Sequence, residues 1–244
     1  MTDRYRIANT VIEIKSLYPR VHRHCRAYLT TDLPVDISVE TAPEDIVFEK
    51  ERKKEADALL GAPVLCFSDD YYEMLAVYRR IAEKLPFRDI FLMHGSCIAV
   101  DGEAFLFTAK SGTGKSTHTR LWREMLKDRA VMVNDDKPLI GVSDSGATAY
   151  GTPWDGKHRL SADIAVPLKT ICILERAERN RISEISFSEV YPMLAQQIYR
   201  PQQVDAMLKT LQLIDRLPAA VRFFRLCCNM DPEAARISYE AMRG

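Results

Sequence analysis

The sequence predicts an α/β protein. A phosphate-loop core on a mixed, partly antiparallel sheet spans 89–244, and a small N-terminal α/β appendage spans 1–88. Three observations carry this. Residues 103–120, EAFLFTAKSGTGKSTHTR, read as a buried strand, a turn holding Gly112 and Gly114, and a helix beginning near Lys115. Asp101-Gly102, a two-residue hairpin signal, joins that strand to an apolar run before it, so the sheet must be mixed. A second apolar strand, following the helix, ends in Asn134-Asp135-Asp136.

The composition leaves room for such a core and narrows the partners. Of 244 residues, 47% are apolar, enough for one large domain or a core with an appendage. The 34 basic and 34 acidic residues cancel, so neither a nucleic-acid-coating nor a membrane-surface protein is expected. The six cysteines show no C-x-x-C pairing and no metal-ligand rhythm. Most sit in apolar runs, which points to buried free thiols in a reducing compartment. The N-terminal MTDRYRIANTV has no apolar stretch of signal-peptide length, and no run approaches the ~20 apolar residues of a membrane span. A cytoplasmic protein is the expectation.

In chain order, 5–17 read as a strand and 35–39 as another, with Pro43-Glu44-Asp45 opening a helix. The charged run 49–60 reads as a solvated helical face. His22, His24 and Cys25 lack a partner cluster and read as surface residues rather than metal ligands. Ser68-Asp69-Asp70 caps an amphipathic helix that buries Tyr71, Leu75, Tyr78, Ile81 and Ala82 and ends at Pro86. Residues 90–100 read as one long apolar strand interrupted by His94-Gly95. The helix over 116–127 turns Leu121, Trp122 and Met125 inward. A hairpin follows around Asp144-Ser145-Gly146, and then a loop, GTPWDGKH, over 151–158. A strand at 170–174, helices over 186–200 and 202–217 broken at Pro201, a strand over 221–228 and a helix opened by Asp231-Pro232 complete the chain.

The chemistry gathers at the strand ends. Ser111, Gly112, Thr113, Gly114, Lys115, Ser116 and Thr117 form the phosphate cradle. Its glycines let backbone N–H groups converge on an anion, Lys115 reaches the outer phosphates, and the Ser116 hydroxyl suits Mg²⁺. Ala109 replaces the first glycine of the usual pattern, which is tolerable where no positive φ is needed. Asp135 and Asp136 can divide the remaining work, one toward Mg²⁺ and one toward an acceptor hydroxyl. His94, one hairpin away, is either a satisfied core histidine or a relay that tunes an aspartate base.

Residues 93–117, MHGSCIAVDGEAFLFTAKSGTGKST, followed by V-N-D-D, resemble the catalytic domain of bacterial HPr kinase/phosphorylases and the wider PEP-carboxykinase-type nucleotide fold. The resemblance is firm over 90–140, looser to about 230, and absent from 1–88. It implies Lys115 on the β- and γ-phosphates, Ser116 on Mg²⁺, Asp135 as general base with Asp136 supporting, and His94 as the catalytic histidine. The family's later motif, with a Mg²⁺-binding Glu ahead of Arg-Gly, is missing. GTPWDGKH stands there instead, with Asp155 and Lys157 as stand-ins and Asp136 and Asp155 as metal ligands beside Ser116. That loop looks more like those of small HPr-kinase-like proteins found beside peptide-modifying genes, some resembling kinases of a precursor-peptide serine.

The expected activity is an ATP- and Mg²⁺-dependent kinase acting on a hydroxyl, a serine of a peptide or protein. A small alcohol (sugar, polyol or amino acid) is the alternative acceptor, and a catalytically inactive nucleotide-binding regulator the alternative class. No nucleic acid or membrane partner is expected, and the resemblance implies a homo-oligomer.

Overall fold

The computed structural model describes residues 1–59, 61, 63, 65–156 and 158–244. They divide into two compact units, Met1–Leu85 and Pro86–Gly244. Lys157 lies outside the described residues.

In the first unit, β1 (Thr2–Ile7) and β2 (Thr10–Lys15) form an antiparallel hairpin rather than a single strand. Ala8 and Asn9 turn it with φ of 51° and 56°, the left-handed pair a two-residue turn requires. After α1 (Arg20–His24), the strands β3 (Leu29–Thr30) and β4 (Ile37–Glu40) complete a sheet in the order β3-β1-β2-β4. Helices α2 (Pro43–Leu59) and α3 (Asp69–Lys84) finish the unit.

Buried polar groups shift several sequence readings here. His22 is buried, one ring nitrogen 2.8 Å from the Tyr5 hydroxyl and the other 2.8 Å from Ser16 Oγ, and Cys25 is fully buried, so neither is a surface residue. The run 49–60 is not wholly solvated. Glu49 accepts from Arg79 Nε at 2.6 Å, Asp57 accepts from Lys53, and both carboxylates are buried because each has a cation. Helix α3 buries Tyr72, Ala76, Val77 and Ile81, while Tyr71, Leu75 and Tyr78 are only half-buried. Glu73 sets that rotation: fully buried, it accepts from the N–H groups of Leu17 and Tyr18 and from Thr41 Oγ1.

The second unit is a mixed nine-stranded sheet between helices. The run 90–100 is two strands, β5 (Ile90–Leu92) and β6 (Ser96–Val100), because the chain changes neighbours at His94-Gly95. β6 and β7 (Glu103–Thr108) pair antiparallel through Asp101 and Gly102, with φ of 52° and 85°. Helix α4 (Lys115–Leu126) follows, then β8 (Ala130–Asn134) and the hairpin of β9 (Leu139–Ser143) and β10 (Gly146–Tyr150). The long β11 (Ala165–Arg176) pairs first with β10 and then runs parallel to β7 and to β13 (Arg222–Cys228), which also pairs β12 (Arg181–Glu184), a strand the sequence did not reveal. Helices α5 (Phe187–Gln197), α6 (Val204–Arg216) and α7 (Pro232–Arg243) complete the unit.

Both faces of the central strands are buried, which is why they read as unbroken apolar runs. Ala104 and Leu106 of β7 join one core with Val190 and Leu194 of α5. Phe105 and Phe107 join the other with Trp122 of α4 and Ala235 of α7. Met125 is exposed, since Leu121, Trp122 and Leu126 already fill the inward face of α4. Among the cysteines, Cys25, Cys97 and Cys172 are buried but Cys66 is exposed. No helix among the described residues is long and apolar enough to cross a membrane.

Candidate functional site

The loop between β7 and α4 bends at Gly112 and Gly114, with φ of 79° and 126°. Side chains rarely adopt these angles, although a Cβ at either glycine would meet nothing within 4 Å. Ala109 has no such demand on φ, and its carbonyl accepts Lys115 Nζ at 3.1 Å. Lys115 is buried, and that burial lowers its pKa against the opposing charge of Asp136. Arg176, at the end of β11, ties down the crest of the loop: Nε donates to the Thr113 carbonyl at 3.2 Å and Nη2 donates to the Gly112 carbonyl.

Asn134 organises the end of β8. Its Oδ1 accepts from the N–H groups of Asp136 (2.9 Å) and Lys137 (2.6 Å), and its Nδ2 donates to Thr152 Oγ1 at 3.0 Å. The 151–158 loop is thereby drawn onto the aspartates. Gly156 N–H donates to Asp135 Oδ1 at 2.6 Å. Asp135 is buried, and burial raises its pKa, reinforced by the charges of Asp155 and Asp136.

His94 sits where β5 gives way to β6. Its backbone N–H donates to the Gln197 carbonyl at 2.7 Å, and its Nδ1 lies 2.7 Å from Gln197 Oε1. Nε2 lies 3.4 Å from Asp136 Oδ1. Burial lowers the His94 pKa, and the charge of Lys115 adds to the effect.

These groups meet. His94, Ser111, Gly112, Gly114, Lys115, Ser116, Thr117, Asp135 and Asp136 line one cavity of about 430 Å³, joined by Gly156 and His158 from the 151–158 loop. Thr113 lines a second, more apolar cavity of about 470 Å³ on the other side of the loop, with Leu121, Leu174, Arg176 and Met230. Gly112, Gly114 and Thr117 border both. Asp155 lines neither, and its carboxylate accepts from Ser161 Oγ at 3.0 Å. Sequence reasoning did not single out Gln197, Arg176 or Gly156. Only Gly156 carried a signal, as a turn former beside Trp154-Asp155.

Among the described residues no group of three or more His, Cys, Asp or Glu side chains could hold a metal. A Mg²⁺ that arrives on a triphosphate needs only one or two protein oxygens, its other positions going to phosphate and water. Ser116 and Asp136 line the same cavity, so the donor set fits such an ion.

No curated protein matches the chain. Among solved structures it is similar to the Hpr(Ser) kinase/phosphatase from Coxiella burnetii, at 10% identity and a TM-score of 0.32, over 63% of this chain and 99% of that one. Residues 69–223, well over half of the chain, match the family described as SynChlorMet cassette protein ScmC, and the chain belongs to that family.

Proposed function

We propose that the second unit is a phosphate-loop kinase that transfers the γ-phosphoryl group of ATP, with Mg²⁺, to a hydroxyl, a serine of a peptide or protein. The observation that carries the reading is the convergence of Lys115, Ser116, Asp135, Asp136 and His94 on one cavity. The larger apolar cavity beyond Gly112 and Gly114 is sized for the nucleoside of the donor.

Phosphoryl transfer asks for positioning and charge stabilisation more than for covalent chemistry. The loop N–H groups and the N-terminus of α4 receive the phosphates, and Lys115 neutralises the outer ones. Ser116 and Asp136 would hold a Mg²⁺ ion, which would supply charge neutralisation for the phosphates. As the acceptor oxygen bonds to the γ-phosphorus, the bond to the β–γ bridging oxygen breaks, ADP leaves, and the hydroxyl proton passes to Asp135. A carboxylate whose pKa is raised by burial is a better base for that proton than an exposed one. His94, fixed by Gln197, orients Asp136 from the other side.

Mg-ATP should stabilise the wild-type protein through mass action, by ~2.7 kcal/mol at a hundred times Kd, and so raise its melting temperature. Lys115→Ala should remove that shift while melting cooperatively itself. A wild-type protein that gains no stability from Mg-ATP would rule the reading out.

A further inference from the structure

A third cavity, of about 370 Å³, is bordered by Asp135 and not by His94. Ser116, Thr117, Asp135 and His158 border both it and the cavity lined by Lys115, so Asp135 stands at the junction. Beyond the junction the lining changes to Leu160, Arg120 and Arg123.

The helix explains the arrangement. Ser116, Arg120 and Arg123 are spaced by four and three residues, which places them along one stripe of α4. Leu121, Trp122 and Leu126 hold the opposite face in the core. Arg120 already shares its charge with Glu124 at 2.6 Å. Arg123 is half-buried and its side chain has no hydrogen bond or ion pair among the described residues. A guanidinium at a cavity wall is a planar, forked donor that suits an incoming carboxylate.

We propose that this cavity receives the acceptor, and that the acceptor is a peptide or protein segment in which the phosphorylated serine is flanked by an acidic side chain read by Arg123 and Arg120. The inference rests on the kinase reading above and adds the acidic residue that must flank the serine. Distance selects a peptide. Arg120 and Arg123 lie ~6 Å and ~10 Å beyond Ser116 along the helix axis. An extended peptide covers about 3.3 Å per residue, so the acid falls about two to three positions from the serine. A small hydroxy acid, whose carboxylate adjoins its hydroxyl, does not span that gap.

The test is an array of peptides with one central serine, carrying Asp, Ala or Lys in turn at each of three positions on either side, incubated with Mg²⁺ and γ-labelled ATP. Labelling should be about tenfold higher with Asp than with Ala two to three positions from the serine on one side, the size of one charge-assisted contact. Arg123→Glu should move the Asp-to-Lys labelling ratio of the same array toward Lys, and Arg123→Gln should flatten it. Because each ratio is taken within one variant, partial loss of folded protein does not alter it. Equal labelling of the Asp, Ala and Lys series overturns the inference, as does labelling of glycerate or free serine above every peptide. Mg-ATP binding with no labelled acceptor also overturns it and leaves the donor site standing. Absence of Mg-ATP binding removes the kinase reading itself.

Discussion

Gly156 holds Asp135 by its backbone: the N–H donates to Oδ1 at 2.6 Å, and a Cβ on Gly156 would stand 3.0 Å from both carboxylate oxygens. The loop that carries Gly156 thus closes over the aspartate with no room for a side chain. Gly156 has no positive φ, so the constraint is contact alone.

Gly156→Ala is therefore a probe of Asp135 placement. The added methyl must push the carboxylate by a few tenths of an ångström, lengthening the hydrogen bond while leaving the backbone free to fold. Phosphoryl transfer should fall about tenfold, in the range that small misplacements of a reacting group cost, and the far-ultraviolet circular dichroism should not change. Wild-type turnover in this variant would mean that the position of Asp135 does not matter to the rate.

Asp135→Asn should separate activity from stability. Burial raises the pKa of Asp135, so its contribution to stability is present below the ordinary carboxylate range and is lost as pH rises through the raised value. Asn keeps an oxygen for the Gly156 N–H and carries no charge. At pH 7 the variant should melt above the wild type, and the difference should vanish at pH 3, where the aspartate is neutral in both folded and unfolded chains. Turnover should drop by ~10²–10⁴-fold, the usual yield of a positioned base. In the wild type, the acid limb of the rate profile should lie above the ordinary carboxylate range. A lower melting point at pH 7 would show that the charge is stabilising and the burial argument wrong.

His118 gives a stability test remote from any assay of turnover. It lies 3.0 Å from Ser238 Oγ through Nε2, its Nδ1 is buried with no hydrogen-bond partner among the described residues, and its ring packs edge-on against Phe107. Burial pulls its pKa down to about 4 from 6.5. The unfolded chain then takes up a proton at 6.5 that the folded chain refuses until about 4, so stability is present above that window and is lost as pH falls through it. The loss is worth up to about 3 kcal/mol. His118→Gln should flatten the fall in denaturant midpoint between pH 6.5 and 4. An equally steep fall in the variant would place its cause elsewhere.

Local chemistry made part of this molecule legible. Asp101-Gly102 names its own turn, and the unbroken apolar run of β7 reads as a buried strand, whose Ala104 and Leu106 the fold places in one core and whose Phe105 and Phe107 in the other. The meeting of the phosphate loop with Asp135 and Asp136 followed from converging strand ends, while His94, which read as lying within a strand, joins them where β5 gives way to β6. What stayed hidden are the long-range contacts in which a side chain satisfies someone else's backbone or charge. Glu73 turns α3 by binding backbone N–H groups 55 and 56 residues earlier. Gln197 reaches His94 across 103 residues. Periodicity treats Glu and Gln as solvent-facing, and no local rule says which of them will find a partner inside.

Arg176 belongs to that hidden set, and it is the sharpest test of the loop. Its planar guanidinium grips two successive carbonyls, those of Gly112 and Thr113, which a lysine ammonium reproduces only as a single point contact. The contact fixes a loop whose glycines are otherwise free, so ordering is paid before an anion arrives instead of out of its binding energy. Arg176→Ala should weaken binding of inorganic tripolyphosphate several-fold by calorimetry, with a more unfavourable binding entropy. Arg176→Lys should recover little of that loss. The melting point of the free protein should barely move, since the side chain is exposed and touches no core. Full rescue by lysine would mean that charge near the phosphates, not the grip on Gly112 and Thr113, is what Arg176 contributes.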